Sequence, residues 1–129
     1  MDQVKLEVFV DRWLEAWTAQ DPHQLLSFYA DKFSYLDPAT ITPITDHDVM
    51  RRYLQKLFDG WTMTWKRRAV YRLADSPAAA LLWRATIQRT GKEQIIEVDG
   101  MDFIVFRDGL IAENEVYFDR TKLLTLMKD

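Results

Sequence analysis

The chain has no cysteine, and only four glycines, four prolines and two histidines among its 129 residues. Without cysteine there are no disulfides, thiolate metal sites or cysteine nucleophile, which fits a reducing compartment. So little glycine and proline, in a composition 48% hydrophobic and 29% charged, excludes a disordered or repetitive chain. Long apolar runs are also missing: none approaches the roughly 18 residues of a bilayer span. The first residues carry acids where a secretory leader needs bases. A cytoplasmic protein without membrane contact is expected.

The net charge of −3 offers no concentrated basic face for a phosphate backbone. Acidic residues surround both basic runs, Arg51-Arg52 and Lys66-Arg67-Arg68. They read as solvated faces or a subunit contact, and no nucleic-acid partner is expected. A glycine-rich phosphate loop, a Gly-x-Ser-x-Gly elbow and metal-ligand spacing are all absent, so no cofactor and no metal are expected.

What the chain does have is aromatic residues, 13% of the total, and clear changes of hydrophobic period. Leu6, Phe9, Val10, Trp13, Leu14 and Trp17 recur at steps of three and four, which predicts one amphipathic helix over residues 4–19. Asp21, with Pro22 and Gln24 after it, reads as the cap of a short second helix carrying Leu25, Leu26, Phe28 and Tyr29. Thr45 and Asp48 read as a capping box for a third helix, with Val49, Tyr53, Leu54, Leu57 and Phe58 on its stripe and Gly60 at its end.

After Gly60 the period drops to two. Trp61, Met63 and Trp65 alternate with polar residues, as do Trp83, Ala85 and Ile87, so both stretches predict half-buried strands. Thr90-Gly91-Lys92 turns into a strand over about 93–106, Arg107-Asp108-Gly109 turns into a last strand over about 110–118, and a short helix closes at 121–127. The expectation is a single α+β domain over 1–129, in which a curved antiparallel sheet wraps a long helix and forms a pocket on its concave side.

Asp37 is the first candidate site residue. Phe33, Tyr35 and Asp37 alternate onto one strand face, so the carboxylate shares its side with two aromatics and is a candidate base near neutral pH. Asp37 is equally suited to cap the turn at Pro38. Alternation turns Asn114, Val116 and Phe118 inward on the last strand, with Glu113, Glu115 and Tyr117 outward. With Trp13, Trp17, Phe28, Tyr35, Met63, Trp65, Trp83, Ala85 and Ile87 they would line an aromatic, mostly apolar cavity for a flat ligand, unless those aromatics fill it.

The order of elements, the stretch "FYADKFSYLDP" and the ending "FRDGLIAENEVYFD" resemble the nuclear transport factor 2-like superfamily, in its SnoaL-like and ketosteroid isomerase-like branch. The resemblance covers nearly the whole chain. It implies a cone-shaped cystatin-like α+β barrel and a homodimer through the outer sheet face. It places Asp37 where the isomerases carry their proton-shuttling aspartate, and Asp102 where they carry an aspartic acid held neutral by its apolar site to donate to an oxyanion. Tyr53 falls on a cavity-lining helix tyrosine. Asp102 could equally be a water-facing strand residue, and Tyr53 a core tyrosine.

The chain departs from the isomerases at Trp13, where they have their main oxyanion-donating tyrosine; an indole donates one hydrogen bond and cannot share a proton, which argues against efficient steroid isomerisation. The Asp-Arg-Asp set of related epoxide hydrolases is missing, with Val116 and Trp83 in its place, and neither His23 nor His47 matches the histidine of SnoaL-type cyclases. The reading is a small hydrophobic-molecule pocket protein, either a cofactor-free acid/base enzyme of isomerase or cyclase type acting on a carbonyl compound, or a non-catalytic ligand-binding or dimeric assembly module.

Overall fold

A computed structural model describes residues 1–127. Helix α1 runs Gln3–Ala19, started by the Asp2 side chain accepting from Lys5 N and stopped by Gln20 in the left-handed region at φ 56°. Its predicted stripe is the buried side: Leu6, Val10, Trp13, Leu14 and Trp17 all pack inward. The Gln20 side chain then donates to the carbonyls of Phe58 and Trp61 and accepts from Met63 N, tying the end of α1 to the start of the sheet.

Helix α2 spans only Pro22–Leu26. Asp21 caps it as expected, but Tyr29 is not helical. It opens strand β1, Tyr29–Leu36, because it pairs with Ile111 of the last strand, a long-range contact that overrides local pattern. Helix α3 runs His47–Gly60 and is capped by Asp46, whose carboxylate accepts from Val49 N at 3.0 Å, rather than by Thr45. The buried Met50, Leu54 and Phe58 face the sheet.

Four strands follow: β2 Trp61–Arg72, β3 Ala78–Arg89, β4 Ile95–Arg107 and β5 Leu110–Phe118. The tight turn before β5 has positive φ at both Asp108 and Gly109, as its twist requires. A short helix α4, Thr121–Leu124, comes last.

The sheet order is β1-β5-β4-β3-β2. The expected α+β architecture is present, with one refinement. The β2–β5 ladder is antiparallel, but β1 pairs parallel with β5, and the sheet is mixed and open rather than a closed barrel. A parallel pair needs a crossover connection, which α3 and the β2–β4 meander supply. Register shifts between Arg67 and Ala69 and between Val105 and Phe106 mark bulges, which bend a sheet and here accompany its wrapping of α1. Arg67 holds β2 to α1 through a two-pronged ion pair with Asp11. No helix among the described residues is long and apolar enough to cross a membrane.

Candidate functional site

Between α1, α3, α4 and the concave sheet face lies a cavity of about 260 Å³. Trp13, Leu14 and Trp17 come from α1, Tyr53 and Leu57 from α3, and Trp61, Met63, Trp65, Trp83, Ile87, Asp102, Val116 and Phe118 from the sheet. The exposed Ala39, Arg120, Leu124 and Met127 ring its solvent end, so the aromatics narrow the space without filling it.

Asp37 divides its two oxygens between two jobs. Oδ1 accepts from the backbone N–H groups of Ala39 and Thr40 at 2.8 and 3.0 Å, which is the turn cap. Oδ2 accepts from the hydroxyls of Tyr35 at 2.7 Å and Tyr53 at 2.5 Å, on the cavity wall. The two alternatives for Asp37 therefore coexist on one side chain. Burial and the adjoining Asp37 charge hold the Tyr35 hydroxyl far above its ordinary value. Tyr53 is raised by burial and by its bond to Asp37, and is pulled back by Arg120.

Asp102 lies deeper, on the inner face of β4 and only 4% exposed. Trp83 Nε1 donates to its Oδ1 and Asn114 Nδ2 to its Oδ2, both at 2.7 Å. The Asn114 amide is in turn fixed by accepting from the Tyr29 hydroxyl at 2.8 Å. Burial pushes the Asp102 carboxyl up to about 6; the two hydrogen bonds oppose the shift and the Asp37 charge adds to it. Gly100 makes room for this arrangement, since a Cβ there would lie 2.4 Å from the Trp83 ring atoms Cζ2 and Cη2. A lone glycine inside a strand is the sequence signal for such a close approach.

Trp13 carries the remaining polar group. Its indole N–H is buried and makes no hydrogen bond of good geometry among the described residues; it faces the Tyr29 hydroxyl, whose pKa it draws down against the larger upward effects of burial and Asp102. A buried donor without a partner costs free energy unless something else supplies an acceptor.

Most residues named from the sequence meet at this cavity: Asp37, Asp102, Tyr53, Trp13, Trp17, Tyr35, Met63, Trp65, Trp83, Val116, Phe118 and Ile87 all line it. Three do not. Phe28 follows α2 and packs edge-on against Phe9 instead. Asn114 stands one hydrogen bond behind the wall, supporting Asp102, and Ala85 is buried outside the lining. His47 bonds the Ala30 carbonyl, and neither histidine reaches the cavity. Sequence pattern marks neither Tyr29 nor Arg120 as a site residue: the first lies in a helix-like stretch, and the second just past the last strand with no motif.

A family model described as a SnoaL-like domain matches residues 10–114. The chain belongs to this SnoaL-like family. Among solved structures, a candidate isomerase from Bacillus subtilis superimposes with a TM-score of 0.87 at 13% identity, covering 98% of this chain and 96% of that one. A candidate polyketide cyclase from Xanthomonas campestris gives 0.82 at 15% identity, with 95% and 96% covered. A hypothetical protein with a ketosteroid isomerase-like fold from Catenulispora acidiphila, solved with trimethylamine, gives 0.81 at 17% identity, with 92% and 90% covered. Identities this low show a shared fold alone. No curated protein matches the chain in sequence.

Proposed function

We propose that the protein binds a small, flat, largely apolar carbonyl compound in this cavity and performs cofactor-free acid/base chemistry on it. The observation that carries the reading is a cavity walled mostly by aromatic and aliphatic side chains that also holds two carboxylates, Asp37 and Asp102. A ligand carbonyl oxygen beside Asp102 accepts a hydrogen bond from that carboxyl in its protonated form, which stabilises the charge that develops on the oxygen when an adjacent carbon is deprotonated. The proton leaves the α-carbon for the Asp37 cluster and its electron pair moves onto the carbonyl oxygen; reprotonation at another carbon completes an isomerisation. Tyr53, less buried than Tyr35, is the hydroxyl through which Asp37 meets the ligand. Asp102, within electrostatic reach of Asp37, is the second proton-carrying group. The candidate isomerase and the candidate polyketide cyclase among the fold relatives are compatible with such chemistry.

The test follows exchange of α-protons of a tetralone, a flat enolisable ketone, in heavy water by proton NMR. The protein should accelerate exchange above the buffer rate, and Asp37→Asn should remove roughly 100-fold or more of that acceleration. The asparagine oxygen can keep the turn cap while its amide replaces the oxygen that faces the tyrosines, so melting temperature should fall only modestly. Thermal stabilisation by the ketone without exchange supports instead a non-catalytic binding module, the reading favoured if the four donors on Asp37 never release it.

A homodimer through the outer sheet face belongs to the same proposal. Strand register aligns Ala69, Leu82, Met101 and Tyr117 in one row and Tyr71, Ala80 and Phe103 in the next, on the side away from the cavity. Tyr71 is 60% and Tyr117 50% exposed, making an apolar strip beside the Arg84–Asp99 ion pair. Sedimentation equilibrium should give a dimer, and Phe103→Glu should give a monomer that keeps its fold.

A further inference from the structure

We propose that the cavity selects an organic anion, a carboxylate or similarly acidic oxygen on a flat apolar body, and that Arg120 at its mouth receives that charge. The inference rests on the cavity being the ligand site, as proposed above, and adds the chemical class of ligand.

Among the described residues, three ionisable side chains line the cavity: Asp37, Asp102 and Arg120. They differ in how far the protein already satisfies them. Asp37 accepts four hydrogen bonds, two from backbone and two from tyrosines. Each oxygen of Asp102 holds a buried donor, from Trp83 and Asn114. An incoming cation would have to displace a bond to pair closely with Asp37, and Asp102, with acceptor sites to spare, lies deep in the cavity at 4% exposure, away from the mouth where a charged group enters.

Arg120 is the opposite case. A guanidinium has five N–H donors, and among the described residues the one acceptor Arg120 meets is the Pro38 carbonyl, 3.2 Å from Nη1. It makes no ion pair with a described acid. Its sequence neighbour Asp119 is engaged by the N–H and hydroxyl of Thr121. The bond to Pro38 holds the guanidinium beside the turn that carries Asp37, and its charge is felt at Tyr53.

A ligand that fills the cavity therefore covers a cation with unused donors. A neutral apolar end strips water from that group and returns nothing; a carboxylate returns two charge-assisted hydrogen bonds in the planar geometry a guanidinium prefers. The apolar body lies among Trp17, Trp61, Met63 and Trp65.

The test uses isothermal titration calorimetry near neutral pH with three probes of one shape: naphthoate, its methyl ester and naphthylmethylammonium. Naphthoate should bind about 10-fold tighter than the ester, and Arg120→Gln should bring that ratio close to one. Arg120→Lys should retain only part of the preference, since it keeps the charge and loses the fork. Equal binding of acid and ester, tightest binding of the ammonium, or a preference that survives Arg120→Gln each overturns the assignment while leaving the cavity as a ligand site. If none of the three binds and the tetralone neither exchanges nor stabilises, the ligand site itself is lost and this assignment with it.

Discussion

Replacing Asn114 by leucine should destabilise the protein by about 4 kcal/mol, more than its size or chemistry would suggest for one amide. Asn114 is 1% exposed and occupies the middle of a chain of three buried groups. Its carbonyl takes the Tyr29 hydroxyl and its amide N–H goes to Asp102. Leucine removes both at once, leaving a hydroxyl without an acceptor and a buried carboxylate with one donor fewer. The first omission costs roughly 1–3 kcal/mol and loss of a buried hydrogen bond to a charged group roughly 1.5–3, with the leucine's poor fit in the amide's place adding to the sum. Urea unfolding near neutral pH measures the loss. Adding Tyr29→Phe should recover about 1 kcal/mol, because the orphaned hydroxyl is then gone, and the double-mutant cycle isolates that coupling. A loss below about 1 kcal/mol would mean that the amide is not holding Asp102, and the support assigned to it behind the cavity wall would be wrong.

The same network shows what the sequence reveals and what it conceals. The stripe of α1 is legible because a helix with Leu6, Val10, Trp13, Leu14 and Trp17 on one side has only one way to bury them, and the structure buries all five. The Asp-Gly turn is legible because few residues accept two successive positive φ values, and Asp108 and Gly109 both adopt them. Tyr29 is different. Phe28-Tyr29 fits the end of a helix as well as the start of a strand, and the decision comes from Ile111, more than eighty residues away in sequence. The parallel pairing of β1 with β5 is hidden for the same reason: local patterns specify that a strand exists, and pairing partners are set by the whole chain.

At the site, alternation identifies faces but not hydrogen bonds. Base and turn cap are alternatives for Asp37 in the sequence, and the two oxygens of its carboxylate, pointing to different partners, accommodate both positions. Asp102 lies on the inner face, yet nothing in the sequence says that Trp83 crosses β4 to reach it, except the glycine at 100 that lets the ring pass. Arg120 lies beyond the end of β5, where the period of two no longer applies.

Asp102 also makes stability depend on pH in the direction opposite to most acidic residues. Its carboxyl sits at about 6 in the folded protein against 3.8 for the ordinary group, so between these values the folded chain holds a proton that the unfolded chain has released. Stability from this group is therefore present in full below the unfolded value and is lost as pH rises through about 6. A shift of about two units corresponds to roughly 3 kcal/mol. Urea unfolding of wild type and Asp102→Asn at a series of pH values should show the gap between them changing by about this amount, almost all of it between about pH 4 and 7, while every other titrating group cancels in the comparison. Parallel curves would mean that the carboxyl titrates as it does in water, and the buried network would then have to be open to solvent. The Asn114→Leu penalty should shrink in the same window, because a protonated Asp102 is neutral and tolerates the lost donor better. Acid that relieves the cost of a missing hydrogen bond identifies burial of charge, rather than packing around the amide, as the source of that cost.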